Sequence, residues 1–286
     1  MCTLCISLMC ACLFAGNVYE LNAVAVSLLN NELFVLPTPN SRQLEVYDAM
    51  DYSSRGTISI PVNFQCDFID MAAYCFYHCL YIAHAGSDPC IVRLQLPSKQ
   101  SKWSVSDISS ETTLTVTSSH HLLVVCGNIV TSKSLKLFST DGVLHKTVKL
   151  QPDLANLNSI AESTPGHYVI TRGRRSNDLH QVCMINSEGE VLQTCGGFQG
   201  SYHTLMNTPK DAVVDKEGFV YVVEEKCNRL IVLTPQLDYI HCISSYSYSS
   251  PRLKIDNERR RLFIRYQQVG RNYRTIYTVL ILEIAV

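Results

Sequence analysis

The sequence predicts an all-β protein, a six-bladed β-propeller of four-stranded antiparallel blades occupying residues 1–286 as a single domain. Two observations predict it. Short runs of β-branched and aromatic residues, punctuated by Gly-, Asn- and Asp-containing turns, follow one another along the chain. A four-residue apolar run also recurs six times, at Leu33–Leu36, Leu80–Ala83, Leu122–Val125, His167–Ile170, Val220–Val223 and Leu262–Arg265. The second residue of each run falls at 34, 81, 123, 168, 221 and 263, spacings of 47, 42, 45, 53 and 42. A period of about 45 residues is that of a propeller blade, a unit that cannot bury its apolar faces alone. Unrelated strands of a sandwich have no reason to keep it.

The clearest unit runs from Met206 to Leu233. Ala212–Val214 leads into the turn Asp215-Lys216-Glu217-Gly218, then Phe219–Val223, a polar loop Glu224–Asn228, and Leu230–Leu233. Pro209 stands just ahead of the first run, where its missing N–H removes no ladder bond. The same grammar places the first strands of the six units at Val24–Leu28, Phe68–Ala72, Leu114–Thr117, Ser159–Ala161, Asp211–Val214 and Leu253–Ile255. Third strands are expected at Leu44–Tyr47, Ile91–Leu96, Leu135–Phe138, Gln181–Ile185, Leu230–Leu233 and Thr275–Leu282. Thr140-Asp141-Gly142 and Ser187-Glu188-Gly189 read as hairpins opening fourth strands. An open ring would leave an exposed strand edge. The apolar run within residues 1–14 is therefore expected to pair as the outer strand of the last blade; the competing reading is the remnant of a missing N-terminal region.

Hydrophobic residues make up 47% and charged residues 17%, enough for a core and without the signature of disorder. A net charge of -1 gives no global attraction to DNA or to an anionic membrane, and neither is expected as a partner. Thirteen cysteines, an odd number, and the absence of any Asn-x-Ser/Thr acceptor point to a reducing, cytoplasmic setting. The N-terminal apolar run, roughly 15 residues, is shorter than the ~20 a membrane span needs. It has neither a preceding Lys or Arg nor an Ala-x-Ala cleavage site.

The Gly196–Leu233 block resembles an NHL repeat. Lys102-Trp103-Ser104-Val105, the run Val116–Val124 and Leu179–Cys183 extend the likeness to the propellers that end tripartite-motif proteins and their short invertebrate relatives. Glu224-Glu225 stand where that pattern commonly has Asp, and the first two units match by spacing alone. The resemblance implies a recognition module, with a link to ubiquitin ligases; no RING or B-box spacing of Cys and His occurs in this chain.

Catalytic and metal motifs are weak. Cys2-x2-Cys5-x4-Cys10-x-Cys12 has apolar spacers and no knuckle turn, and Cys75-x2-His78-Cys79 falls at a turn, so no metal and no cofactor are expected. No Gly-x-Ser-x-Gly elbow, phosphate loop or His-Glu-x-x-His is present. Inner strands carry mostly Ala, Val, Thr and Ser, with Asp70, Glu162 and Asp211 as exceptions, while Asp215 and Asp256 suit turn geometry.

In a meander blade the loops after second strands share one face. Arg172, Arg174, Arg175, Lys226, Arg229, Arg271 and Arg274 fall there in three successive units, with Tyr202, Tyr266 and Tyr273 nearby. These ten residues form the candidate binding site: Arg and Tyr are common interface anchors, and both suit phosphate and base stacking. The expected function is a non-catalytic platform, not an enzyme, binding a protein segment on that face. One alternative is single-stranded RNA binding there, and a second is a metal-dependent propeller hydrolase or lyase.

Overall fold

The computed structural model describes residues 5–9, 23–27, 31–37, 42–60, 68–85, 88–96, 99–109, 112–127, 133–151, 154, 156–173, 178–197, 206–244, 249–269 and 275–285. They form six four-stranded antiparallel sheets, the six-bladed β-propeller that the repeat predicts. β1 (Cys5–Met9) stands apart in sequence from the first blade. Blade 1 comprises β2 (Ala23–Ser27), β3 (Glu32–Leu36), β4 (Gln43–Asp48) and β5 (Ser54–Ser59). Blade 2 has β6 (Phe68–Tyr74), β7 (Cys79–His84), β8 (Cys90–Gln95) and β9 (Lys99–Ser104). Blade 3 has β10 (Thr113–Val116), β11 (Leu122–Cys126), β12 (Ser134–Phe138) and β13 (Leu144–Lys149). Blade 4 has β14 (Leu157–Thr164), β15 (His167–Arg172), β16 (His180–Asn186) and β17 (Val191–Gly197). Blade 5 has β18 (Pro209–Val214), β19 (Val220–Glu224), β20 (Arg229–Leu233) and β21 (Tyr239–Ser244). Blade 6 has β22 (Ser249–Asp256), β23 (Arg261–Val269) and β24 (Thr275–Ala285), and its fourth strand is β1, antiparallel to β24.

The apolar alternation of each strand serves two neighbours at once. Among the described residues six buried clusters lie one between each pair of adjacent blades. In β19, Tyr221 and Val223 pack toward blade 6, whereas Val220 and Val222 pack toward blade 4. A period of two on strands with both faces covered produces this division. Phe263, Val279 and Ile281 of blade 6 meet Leu33 and Val35 of blade 1, so the packing returns to its start.

Turn chemistry sets the register. Asp215 accepts the amides of Glu217 and Phe219 on Oδ1 (3.1 and 2.8 Å) and the Tyr221 hydroxyl on Oδ2 (2.9 Å). Gly218 completes that turn at φ +88°, a conformation side chains resist. Gly142, at φ +89°, also makes room for Trp103: a Cβ there would lie 2.5 Å from the indole.

In blade 4 the repeat is displaced by one residue. Tyr81 faces Ala72 and Tyr221 faces Val213, but Val169, not Tyr168, faces the equivalent Ala161. A register shift between Glu162 and Thr164 accompanies the offset.

Candidate active site in the central channel

The innermost strands β2, β6, β10, β14, β18 and β22 surround a central cavity of about 500 Å³. That volume lies within the usual range for small-molecule sites. Short side chains on these strands, Ala25, Ala72 and Ala161 among them, keep it open. Its polar wall is made by Asp70, Thr113, Glu162, Asp211, Arg252 and Lys254.

Equivalent positions form one tier around the axis: Ala23, Asp70, Thr113, Ser159, Asp211 and Arg252, each paired with the matching residue of its second strand. A register shift precedes four of them, between Phe68 and Asp70, Leu157 and Ser159, Pro209 and Asp211, and Ser249 and Arg252. Such irregularities re-aim side chains, and here they fall where the polar residues begin.

The acidic members have a structural task. An innermost strand presents amides that its own blade cannot pair. Asp70 Oδ2 accepts the amide of Leu114 in the next blade at 2.8 Å. Ser159 Oγ accepts that of Ala212 at 3.1 Å, and Asp211 Oδ2 that of Leu253 at 2.9 Å. Each side chain staples its blade to the following one and satisfies an edge donor. Glu162 acts similarly nearer the strand-ending turns, accepting the amide of Ser118.

One ion pair lies across the wall. Lys254 Nζ of blade 6 stands 3.5 Å from Asp70 Oδ1 of blade 2, and blade 1 lies between those two blades in the ring. The Asp70 side chain is 13% exposed and that of Lys254 25%, so both are largely shielded while still lining the cavity.

The carboxylates do not fit a divalent cation. Asp70 and Asp211 each already accept two backbone amides. Among the described residues no group of three or more His, Cys, Asp or Glu is placed to hold a metal ion, and hard cations need more oxygen ligands than these offer.

Of the ten residues of the basic loop face, four are among the described residues, and three of those are buried within the blades. Arg172 is buried and its guanidinium donates to Gln181 Oε1. Arg229 is buried against Glu224, which also accepts the Asn207 amide at 2.6 Å. Burial pushes the Glu224 carboxyl above its ordinary range, and the Arg229 bond works against that push. Tyr266 belongs to the core between blades 5 and 6. All three serve blade packing, and the two guanidinium heads can be buried because their partners are built into the adjacent strand. Lys226 is exposed in the β19–β20 loop. Arg174, Arg175, Tyr202, Arg271, Tyr273 and Arg274 lie outside the described residues.

Of the inner-strand exceptions in the sequence, Asp70, Glu162 and Asp211 all line the cavity. Arg252 and Lys254 were missed. Their signal was available: in Pro251-Arg252-Leu253-Lys254-Ile255 cations alternate with apolar residues on an inner strand, where the other units carry small or acidic ones.

Fold and site together define a six-bladed propeller with a small-molecule-sized central channel. No protein-family model matches the sequence, and no curated protein is similar to it. Solved structures are. A PQQ-bound aldose sugar dehydrogenase from Streptomyces coelicolor superposes with a TM-score of 0.70 at 10% identity, covering 99% of each chain. A gluconolactonase from Xanthomonas campestris gives 0.65 at 12% identity, over 96% of this chain and 88% of that one. A virginiamycin B lyase from Staphylococcus aureus gives 0.63 at 9% identity, over 98% and 99%. At such identities the likeness is one of fold. The expectation of a non-catalytic platform that is no enzyme is corrected to this extent: the structural counterparts named here are enzymes, and none is a recognition module. The polar groups of the inner strands converge on a cavity, whereas Arg172, Arg229 and Tyr266 are buried within the blades.

Proposed function

We propose that this chain is a propeller enzyme of the hydrolase or lyase class that takes a small polar molecule into its central channel. The observation that carries the proposal is the Asp70–Lys254 pair, a shielded carboxylate and ammonium 3.5 Å apart on the wall of a ligand-sized cavity. Asp70 Oδ1 is the proton acceptor in this reading. Lys254 steadies negative charge as it develops on a substrate oxygen and returns a proton to the leaving group. Arg252, one tier away on the same strand, holds the substrate in place. Enzymes among the structures of like fold support the class, and the donor chemistry of the channel directs the reading to proton transfer by these side chains. The likeness of Gly196–Leu233 to an NHL repeat is part of the same proposal as a statement about how the blade is built, and it says nothing of the ligand.

The test is turnover by the purified chain of a panel of lactones, esters and β-eliminable substrates, followed by mass spectrometry. Lys254→Met and Asp70→Asn are expected to lower kcat by about 10²–10⁴, the usual contribution of a positioned acid or base. Absence of turnover across the panel, or full activity in both variants, overturns the proposal.

A further inference from the structure

We infer that the channel ligand carries an oxyanion, a carboxylate or phosphate group, and that this group docks on the blade 6 wall formed by Arg252, Lys254 and Arg265. The inference rests on the catalytic reading above in placing the ligand in the same channel, and it deepens that reading by naming the ligand's class.

The charge distribution is the starting point. Beside the main channel lies a cavity of about 10 Å³, lined by Ala23, Ile69, Asp70, Arg252, Lys254, Phe263 and Arg265. A space of this size holds about one water-sized atom, such as a single ligand oxygen. Among the described residues, three cationic side chains and one carboxylate line it. Asp70 already accepts the amides of Met71 and Leu114 and forms its ion pair with Lys254, so it is not turned to Arg252.

The register adds to the positive character of this wall. Arg252 and Arg265 are direct cross-strand partners in the β22–β23 pair. Like charges placed directly opposite one another in a sheet are destabilising. Arg252 Nη1 is also buried and has no hydrogen-bond partner among the described residues. A buried donor left without an acceptor is unfavourable, and a charged donor more so. Asp211, the tier carboxylate of the adjacent blade 5, is turned to the backbone amides of Ala212 and Leu253.

Asp70, Arg252 and Lys254 border both the small cavity and the main channel, so the two spaces share one wall. An oxyanion entering from the channel sets one oxygen in the small cavity and leaves the molecule's body in the larger one. Guanidinium groups suit this task, because their planar donors match the oxygens of carboxylate and phosphate.

The experiment is isothermal titration calorimetry on the full chain with inorganic phosphate and, separately, with malonate, at constant ionic strength. Saturable binding at one site per chain is expected for at least one anion, with affinity lowered tenfold or more in Arg252→Met. Phosphate binding alone points to a phosphorylated ligand, malonate binding alone to a carboxylate, and binding of both to oxyanions in general; each supports the inference. No saturable binding of either anion overturns it, as does wild-type affinity in a folded Arg252→Met. If that variant fails to fold, Arg265→Gln takes its place, with the same tenfold loss expected and wild-type affinity again overturning the inference. Anion binding without turnover of any substrate upholds this site and sinks the catalytic reading. Turnover of uncharged substrates by a protein that binds neither anion does the reverse.

Discussion

Lys254 Nζ stands 3.5 Å from Asp70 Oδ1, linking blade 6 to blade 2 past the intervening blade 1. Both side chains are largely shielded yet line the open channel, and at 3.5 Å their contact is expected to contribute no more than about 1 kcal/mol to stability. Lys254→Met is therefore expected to shift the urea midpoint only slightly while lowering kcat by about 10²–10⁴. A large loss of stability with activity retained would show that the contact is architectural.

Asp211 is the opposite case. Its Oδ2 is the acceptor for the Leu253 amide on the channel edge of blade 6. Asp211→Ala strands that donor and is expected to destabilise by about 1–3 kcal/mol. Asp211→Asn keeps an acceptor oxygen and loses less, a difference read from chemical denaturation of the two variants side by side.

Glu224 and Arg229 form a pair buried within blade 5. Arg229→Met leaves a carboxylate in the interior without its cation, for which about 3–5 kcal/mol is expected. The double variant Glu224→Leu/Arg229→Met should recover much of that loss. Equal stability of single and double variants would refute the pairing.

Burial raises the Asp215 carboxyl above its ordinary range, against the lowering pull of the Tyr221 hydroxyl and the Phe219 amide. The folded protein therefore holds this proton to higher pH than the unfolded chain does. Between the unfolded and folded values the native state binds more protons, so stability falls as pH rises. Below that window the group makes no difference, and above it the full penalty applies. Asp215→Asn removes the titration, and the wild-type stability relative to this variant is expected to decline from acid toward neutral pH. Parallel pH profiles for the two proteins would contradict it.

Gly142 and Trp103 offer a packing test with its own reporter. The left-handed φ of +89° and the 2.5 Å approach to the indole both oppose a Cβ. Gly142→Ala is expected to destabilise by about 1–3 kcal/mol through strain and overpacking. Trp103 is the single tryptophan, so its fluorescence follows unfolding and reports any displacement of the ring in the folded state.

The fold was legible because its signals are local and repeated. Leu80–Ala83 and Val220–Val223 announce second strands by composition, and Asp215-Lys216-Glu217-Gly218 announces the turn before one. Six copies average out the errors of any single one; the displaced register of blade 4, where Val169 replaces Tyr168, did not alter the count. The site was legible only in part. Asp70, Glu162 and Asp211 stood out as polar residues on inner strands, while the arginines of the second-strand loops suggested a surface that Arg172 and Arg229 do not form.

The sequence alone determined the blade, its period and the number of copies, since alternation and turn residues act over distances of a few residues. Tertiary structure decided what each charged side chain does. Whether an arginine meets water, a buried glutamate or the channel depends on which strand lies beside it. That neighbour is supplied by ring closure from positions as distant in sequence as Asp70 and Lys254.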